Sequence, residues 1–144
     1  MNDLLHTQRS PGSHRMLPRL AALAIGLALV LFPFGWLGEV WRPFGQVTDY
    51  LFSTVLAHAI GHASLFLWLG LLALAIFPAL RRHPWHYLGL LLLAGVGQEA
   101  FQLLYKARPL VYDDMRDLAT DLAGLLLALG FFWAWRCLRA RVSH

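Results

Sequence analysis

Four long apolar runs dominate this chain and leave little freedom in what it folds into. They cover residues 17–37, 51–80, 85–105 and 117–138. About 20 apolar residues of helix cross the hydrocarbon core of a bilayer, and each run reaches that length. Lipid offers no partner to a backbone N–H or C=O, so a spanning run must satisfy its own, as a helix does. Composition agrees: 58% of the residues are hydrophobic and 14% charged, where a soluble domain carries about 25% charged. The expected fold class is therefore all-α, an integral membrane four-helix bundle. Its single membrane domain covers 17–138, between a polar tail at 1–16 and a basic C-terminal tail at 139–144. Tilt or an interfacial turn would accommodate the extra length of the second run. The first run follows an Arg-bearing tail, as a signal peptide would. Phe32-Pro33-Phe34-Gly35-Trp36 stands where a small-residue cleavage site would be, so it reads as a retained helix.

Basic residues orient the bundle. With both termini in the cytoplasm, eight of the twelve Lys and Arg residues lie inside. These are Arg9, Arg15, Arg19, Arg81, Arg82, Arg136, Arg139 and Arg141. Arg42, Lys106, Arg108 and Arg116 lie outside, an asymmetry that fits the positive-inside rule. Trp36, Trp41, Tyr50, Tyr105 and Tyr112 mark one interface, and Trp85, Trp133 and Trp135 the other. A sequence pI near 9.8 does not point to nucleic acid, because the basic residues flank apolar runs instead of forming a patch. The single cysteine, Cys137, excludes an internal disulfide and a cysteine-based metal cluster.

Polar residues inside the runs carry the functional signal. Glu99 and Gln102 interrupt the third run and share one helical face. A carboxylate at membrane depth costs several kcal/mol unless it is paired, protonated or facing water. In the proposed orientation His58 and His62 lie in the outer half of the second span, Glu99 and Gln102 near the outer end of the third, and Asp117 and Asp121 in the first turns of the fourth. The loop KARPLVYDDMR adds Lys106, Arg108, Asp113, Asp114 and Arg116 on the same side. Gly70, Gly95, Gly124 and Ala128 continue these faces and would let helices approach closely. Structural explanations stand beside the functional one. Asp117 and Asp121 suit a helix N-terminus, and a buried Glu99 paired with Arg108 or a histidine can be architectural.

These residues are also where the chain resembles the VanZ-like family of small polytopic membrane proteins. Residues 60–70, IGHASLFLWLG, look like that family's His-Phe-x-x-Tyr-x-x-x-Gly helix. Glu99-x-x-Gln102 followed by Arg108 is similar to its Glu-x-x-Gln…Arg segment. Asp117-x-x-x-Asp121-x-x-Gly124 is similar to its Asp-x-x-x-Asn-x-x-Gly. The resemblance covers about residues 58 to 128. Phe66 stands for the usual tyrosine, Asp121 for the usual asparagine, and His58-Ala59 where relatives often have Asp-Lys, so this site is the more acidic. The family is named for an accessory factor in glycopeptide-antibiotic resistance, which implies a role in the cell envelope and a multi-pass place in the bacterial inner (cytoplasmic) membrane.

The leading expectation is an outward-facing polar pocket for a lipid-linked or glycan- or peptidoglycan-related ligand, with membrane lipids around it. Gln102, Arg108, Asp117, Asp121 and His58 are the ligand-binding candidates. Two alternatives stay open. One is a non-catalytic accessory or assembly subunit of a larger membrane complex, its polar seam fixing helix register. The other is a membrane-embedded enzyme with His62 and Glu99 as acid–base residues, although only Ser53 and Ser64 offer themselves as nucleophiles. A metal variant would join His58 and His62 to Glu99 or Asp121, but it lacks a signature as specific as His-Glu-x-x-His. No metal or cofactor is expected.

Overall fold

A computed structural model describes residues 13–32 and 34–142, and every element in it is a helix. In chain order these are α1 (Ser13–Leu31), α2 (Phe34–Val40), α3 (Arg42–Leu51), α4 (Val55–Ile76), α5 (Pro78–Arg82), α6 (Pro84–Lys106) and α7 (Tyr112–Val142). The tail expected at 1–16 lies outside the described residues up to position 12, and Ser13 already opens α1. At the other end α7 continues to Val142, through the start of the expected basic tail, and positions 143–144 lie outside the described residues.

Three helices, α4, α6 and α7, are long and apolar enough to cross a membrane. A fourth span results if α1 and α2, bent at 63° to each other, count as one. The expected first span at 17–37 is thus broken. The break falls between Leu31 and Phe34, a stretch whose sequence includes a proline, the residue without the N–H a continuous helix needs. The long second run also divides: α4 stops at Ile76, ahead of Pro78, and α5 makes the turn. Arg81 secures that turn, donating from Nη2 to the Ala75 carbonyl at 2.7 Å and from Nε to Leu74. Its guanidinium also covers the Phe132 ring at 5.1 Å.

The closest packing joins α4 and α7, which run parallel. Successive contacts ascend both helices together, His58 beside Asp117 and His62 beside Asp121. Above them Gly124 lies against Ala63 and Gly70 against Ala128. A Cβ on Gly124 would collide with the Ala63 carbonyl oxygen, which is backbone and cannot swing aside. Small residues bring the two backbones together, the usual device where lipid supplies no hydrophobic drive. Beyond this seam the core contains Val30 from α1, Phe66, Leu69, Ala73 and Leu74 from α4, Tyr87 and Leu91 from α6, and Leu125 from α7. Trp68, Leu93, Leu127 and Phe131 point outward and are largely exposed, an apolar surface that suits lipid better than water.

The α2–α3 hairpin packs over the end where α4 and α7 begin and α6 finishes. Gly38 and Gly45 press backbone to backbone within it. The Tyr105 hydroxyl of α6 meets Gly35, and Phe52, just past α3, meets Gly61 and the His58 ring. α6 and α7 are joined by a short turn whose Ala107 adopts the left-handed conformation, φ 47°. Its N–H bonds to the Leu103 carbonyl. A non-glycine residue there costs roughly 1–2 kcal/mol, and the Arg108–Asp114 pair described below helps to hold it.

Candidate functional site

Two i, i+4 pairs face each other across the start of the α4–α7 seam. The first turns of α4 carry His58 and His62, and the second and third turns of α7 carry Asp117 and Asp121. His62 Nδ1 lies 2.9 Å from Asp121 Oδ1. With Asp121 ionised it can only accept, so the imidazole proton then sits on Nδ1 and the Nε2 lone pair of a neutral ring is free. His62 Nε2 stands 4.0 Å from Asp117 Oδ2, and His58 Nε2 stands 3.3 Å from the same oxygen. The two imidazole rings are 4.9 Å apart. Asp121 is fully buried, while the His58 side chain is 43% exposed. The cluster therefore extends from the interior to the surface.

α6 supplies the third wall. Glu99 is 3% exposed and lies within electrostatic range of His62, Asp114, Asp117 and Asp121. Beside it Gln98 is also buried. Gly95, one turn earlier, lets Asp121 approach; a Cβ there would stand 3.0 Å from Asp121 Oδ2. Among the described residues, Gln98 Oε1, Glu99 Oε1, Asp117 Oδ1 and Asp121 Oδ2 are buried without a hydrogen-bond donor, and Arg116 Nε, 4.0 Å from Asp117 Oδ1, is buried without an acceptor. A buried acceptor left unpaired costs about 1–3 kcal/mol, more when charged. Four such oxygens at one end of the bundle make a site that calls for donors or for positive charge.

The structure brings His58, His62, Glu99, Asp117 and Asp121 together and gives two other expected site residues partners of their own. Arg108 is taken by Asp114: Nη1 donates to Oδ2 at 2.9 Å and Nη2 to Oδ1, a two-pronged ion pair. The hydrogen bond to that carboxylate holds the guanidinium still further above its ordinary pKa. Of the partners expected for Glu99, Arg108 bonds Asp114 instead, while both Arg108 and His62 stay within electrostatic range of Glu99. Gln102 is half-buried and accepts from Lys106 at 3.0 Å, one turn along α6. Gln98 takes the buried place instead. It lies three residues after Gly95, so the buried stripe Tyr87, Leu91, Gly95, Gln98, Glu99 carried the signal.

The start of the last helix also differs from the sequence reading. α7 begins at Tyr112, five residues before Asp117, so Asp113 and Asp114 occupy its first turn. Asp114 Oδ2 accepts the Val111 N–H at 2.8 Å, the reach-back half of a capping box. Asp117 and Asp121 thus lie deeper than an N-cap, and capping does not explain them. Ser53 and Ser64, the possible nucleophiles, are both exposed. Searched against known protein families, curated proteins and solved structures, the chain finds no match in any of the three.

Proposed function

We propose that this chain is a VanZ-like protein of the bacterial inner membrane, a four-helix bundle with both termini in the cytoplasm. In this reading its polar site faces outward and binds a lipid-linked, glycan-type envelope ligand. The observation that carries it is the set of buried oxygens on Gln98, Glu99, Asp117 and Asp121 that no donor satisfies, in excess of the one buried donor beside them, Arg116 Nε at 4.0 Å from Asp117. Packing alone gives no reason to bury acceptors in excess. A ligand rich in hydroxyl and amide donors, as glycans and peptidoglycan fragments are, would complement them. Arg108, held by Asp114 with its side chain still 30% exposed, supports the α6–α7 turn and remains a ligand-binding candidate. Orientation rests on the excess of basic residues at the end opposite the site, eight against the four at the site's own end.

Native mass spectrometry of the detergent-released protein with a polyprenyl-linked saccharide tests this. Binding is expected, and Glu99→Gln should weaken it at least tenfold while leaving the fold intact. A folded wild-type protein that does not retain the saccharide refutes the reading. Alkaline-phosphatase fusions at residues 45 and 110 should be active, and inactive fusions at both would overturn the outward orientation.

One observation favours a second reading, the accessory subunit of a larger membrane complex. The two His–Asp pairs stand level on parallel helices, as a device for locking helix register would. That reading predicts an unchanged phenotype for Glu99→Gln, since Glu99 belongs to neither pair.

A further inference from the structure

His58, His62 and Asp117 each place one ligand atom within 4.8 Å of the other two. Tetrahedral zinc, with ligands at about 2.0–2.1 Å, holds neighbouring donor atoms about 3.3 Å apart. His58 Nε2 and Asp117 Oδ2 already stand at 3.3 Å, His62 Nε2 lies 4.0 Å from Asp117 Oδ2, and no pair in the trio is separated by more than 4.8 Å, so binding draws the histidines together by up to about 1.5 Å. A second observation points the same way. Asp121 binds the far nitrogen of His62 at 2.9 Å, which turns the Nε2 lone pair toward Asp117. A carboxylate on the other ring nitrogen is the usual support behind a metal-bound histidine. Asp121 therefore does for His62 what a ligand histidine requires.

Charge is consistent with a cation. Asp117, Asp121 and Glu99 gather around two imidazoles, and Arg116 reaches Asp117 only at 4.0 Å. We propose that His58, His62 and Asp117 form a binding site for a divalent transition metal of the zinc class. Asp121 positions His62, and a fourth coordination place is left for water or a ligand oxygen. Two imidazoles with one carboxylate suit zinc, cobalt or iron(II) better than magnesium or calcium, which take oxygen ligands throughout. The metal is held by this chain's own side chains, so its binding stands or falls apart from any glycan. Were both present, the open position would let the cation meet an anionic group that the acidic cluster would otherwise repel.

The test is a titration of chelator-treated, purified protein in nanodiscs with Co2+ and then with Zn2+. The expected result is one equivalent of Co2+ with visible absorption bands of nitrogen and oxygen ligation, displaced by one equivalent of Zn2+. His58→Ala and Asp117→Asn should each weaken binding at least tenfold. Asp121→Asn should weaken it about 10- to 100-fold with the stoichiometry unchanged. His83 and His86, whose rings are 5.3 Å apart, serve as a control, and replacing both should change nothing. His58 is partly exposed, so His58→Ala carries the test if a variant at a deeper position does not fold, with circular dichroism reporting the fold. No stoichiometric binding by folded wild-type protein would overturn the proposal. Binding that persists undiminished in His58→Ala, or that disappears with His83 and His86, would overturn it as well. Saccharide retention, measured separately, would survive those outcomes.

Discussion

Helices α4 and α7 lie side by side along the bundle, and their two halves meet in different ways. In the half that holds Leu69, Ala73, Leu74, Leu125 and Ala128, the contact is apolar and dense. The buried polar group there, the Tyr87 hydroxyl, donates to the Leu125 carbonyl at 3.1 Å. In the half that holds His58, His62, Asp117 and Asp121, polar groups outnumber their partners, and buried oxygens go without donors. Both halves share one pair of parallel helices and one small-residue seam, so backbone geometry does not account for the contrast. An apolar version of the polar half would pack at least as well, since buried ion pairs are often matched or bettered by hydrophobic substitutes. The apolar half carries the dense packing, and the polar half is the costlier of the two to bury.

The largest effect should come from the seam that both halves depend on. Gly124→Ala sets a Cβ against the Ala63 carbonyl oxygen and should cost more than about 3 kcal/mol, the top of the usual range for overpacking. Denaturant unfolding in micelles measures this loss, and a near-neutral result would show that α4 and α7 are not packed so closely. Next comes the polar half alone. Asp121→Ala strands the buried His62 and should cost about 3 kcal/mol, the figure for breaking a buried pair. Replacing both at once, His62→Leu with Asp121→Leu, should recover most of that stability while abolishing metal and ligand binding. If the double replacement stays as unstable as the single, the pair is structural and the contrast between the halves fails.

The apolar half was largely legible in the sequence because hydropathy reports burial directly. Residues 55–76, 84–106 and most of 112–142 announce themselves by length. The polar half was legible in part. His58 with His62, and Asp117 with Asp121, share faces by i, i+4 spacing, which any straight helix enforces. The level at which the two faces meet depends on where Gly124 rests on Ala63, a tertiary contact that no spacing encodes. Gln98 was passed over because Gln102 lies three residues from Glu99 and sits on an equally plausible face. Helix rotation, fixed by Gly95 against Asp121 and Phe66, decides between them. The start of α7 lay hidden in YDDMRD, whose charges read as loop until Asp114 is seen capping the helix and holding Arg108. Pro33 was informative in a different way: it bears on the break after α1 as much as on signal-peptide cleavage.

Smaller effects sharpen the contrast. Tyr87→Phe removes the hydroxyl whose partner is the Leu125 carbonyl, an oxygen with a second chance in the α7 helix itself. A loss of about 1 kcal/mol follows from one hydrogen bond, seen as a modest drop in unfolding midpoint with ligand and metal binding unchanged. A loss of binding with that midpoint intact would mean that the halves are coupled.

Glu99→Gln should have the smallest effect on stability, and of the opposite sign. Glu99 buries a carboxylate with one oxygen unpartnered, beside three aspartates within electrostatic range. Glutamine has nearly the same shape without the charge, so the folded protein sheds like-charge repulsion and part of a desolvation penalty. Stability should hold or rise by up to about 1 kcal/mol, measured as an unchanged or higher unfolding midpoint in the same micelles. A residue kept for the fold would show the reverse, a loss on neutralisation, since its charge would then be answering a partner. A stabilised protein that no longer retains a saccharide would show that Glu99 serves a ligand, at a cost to the helix that carries it.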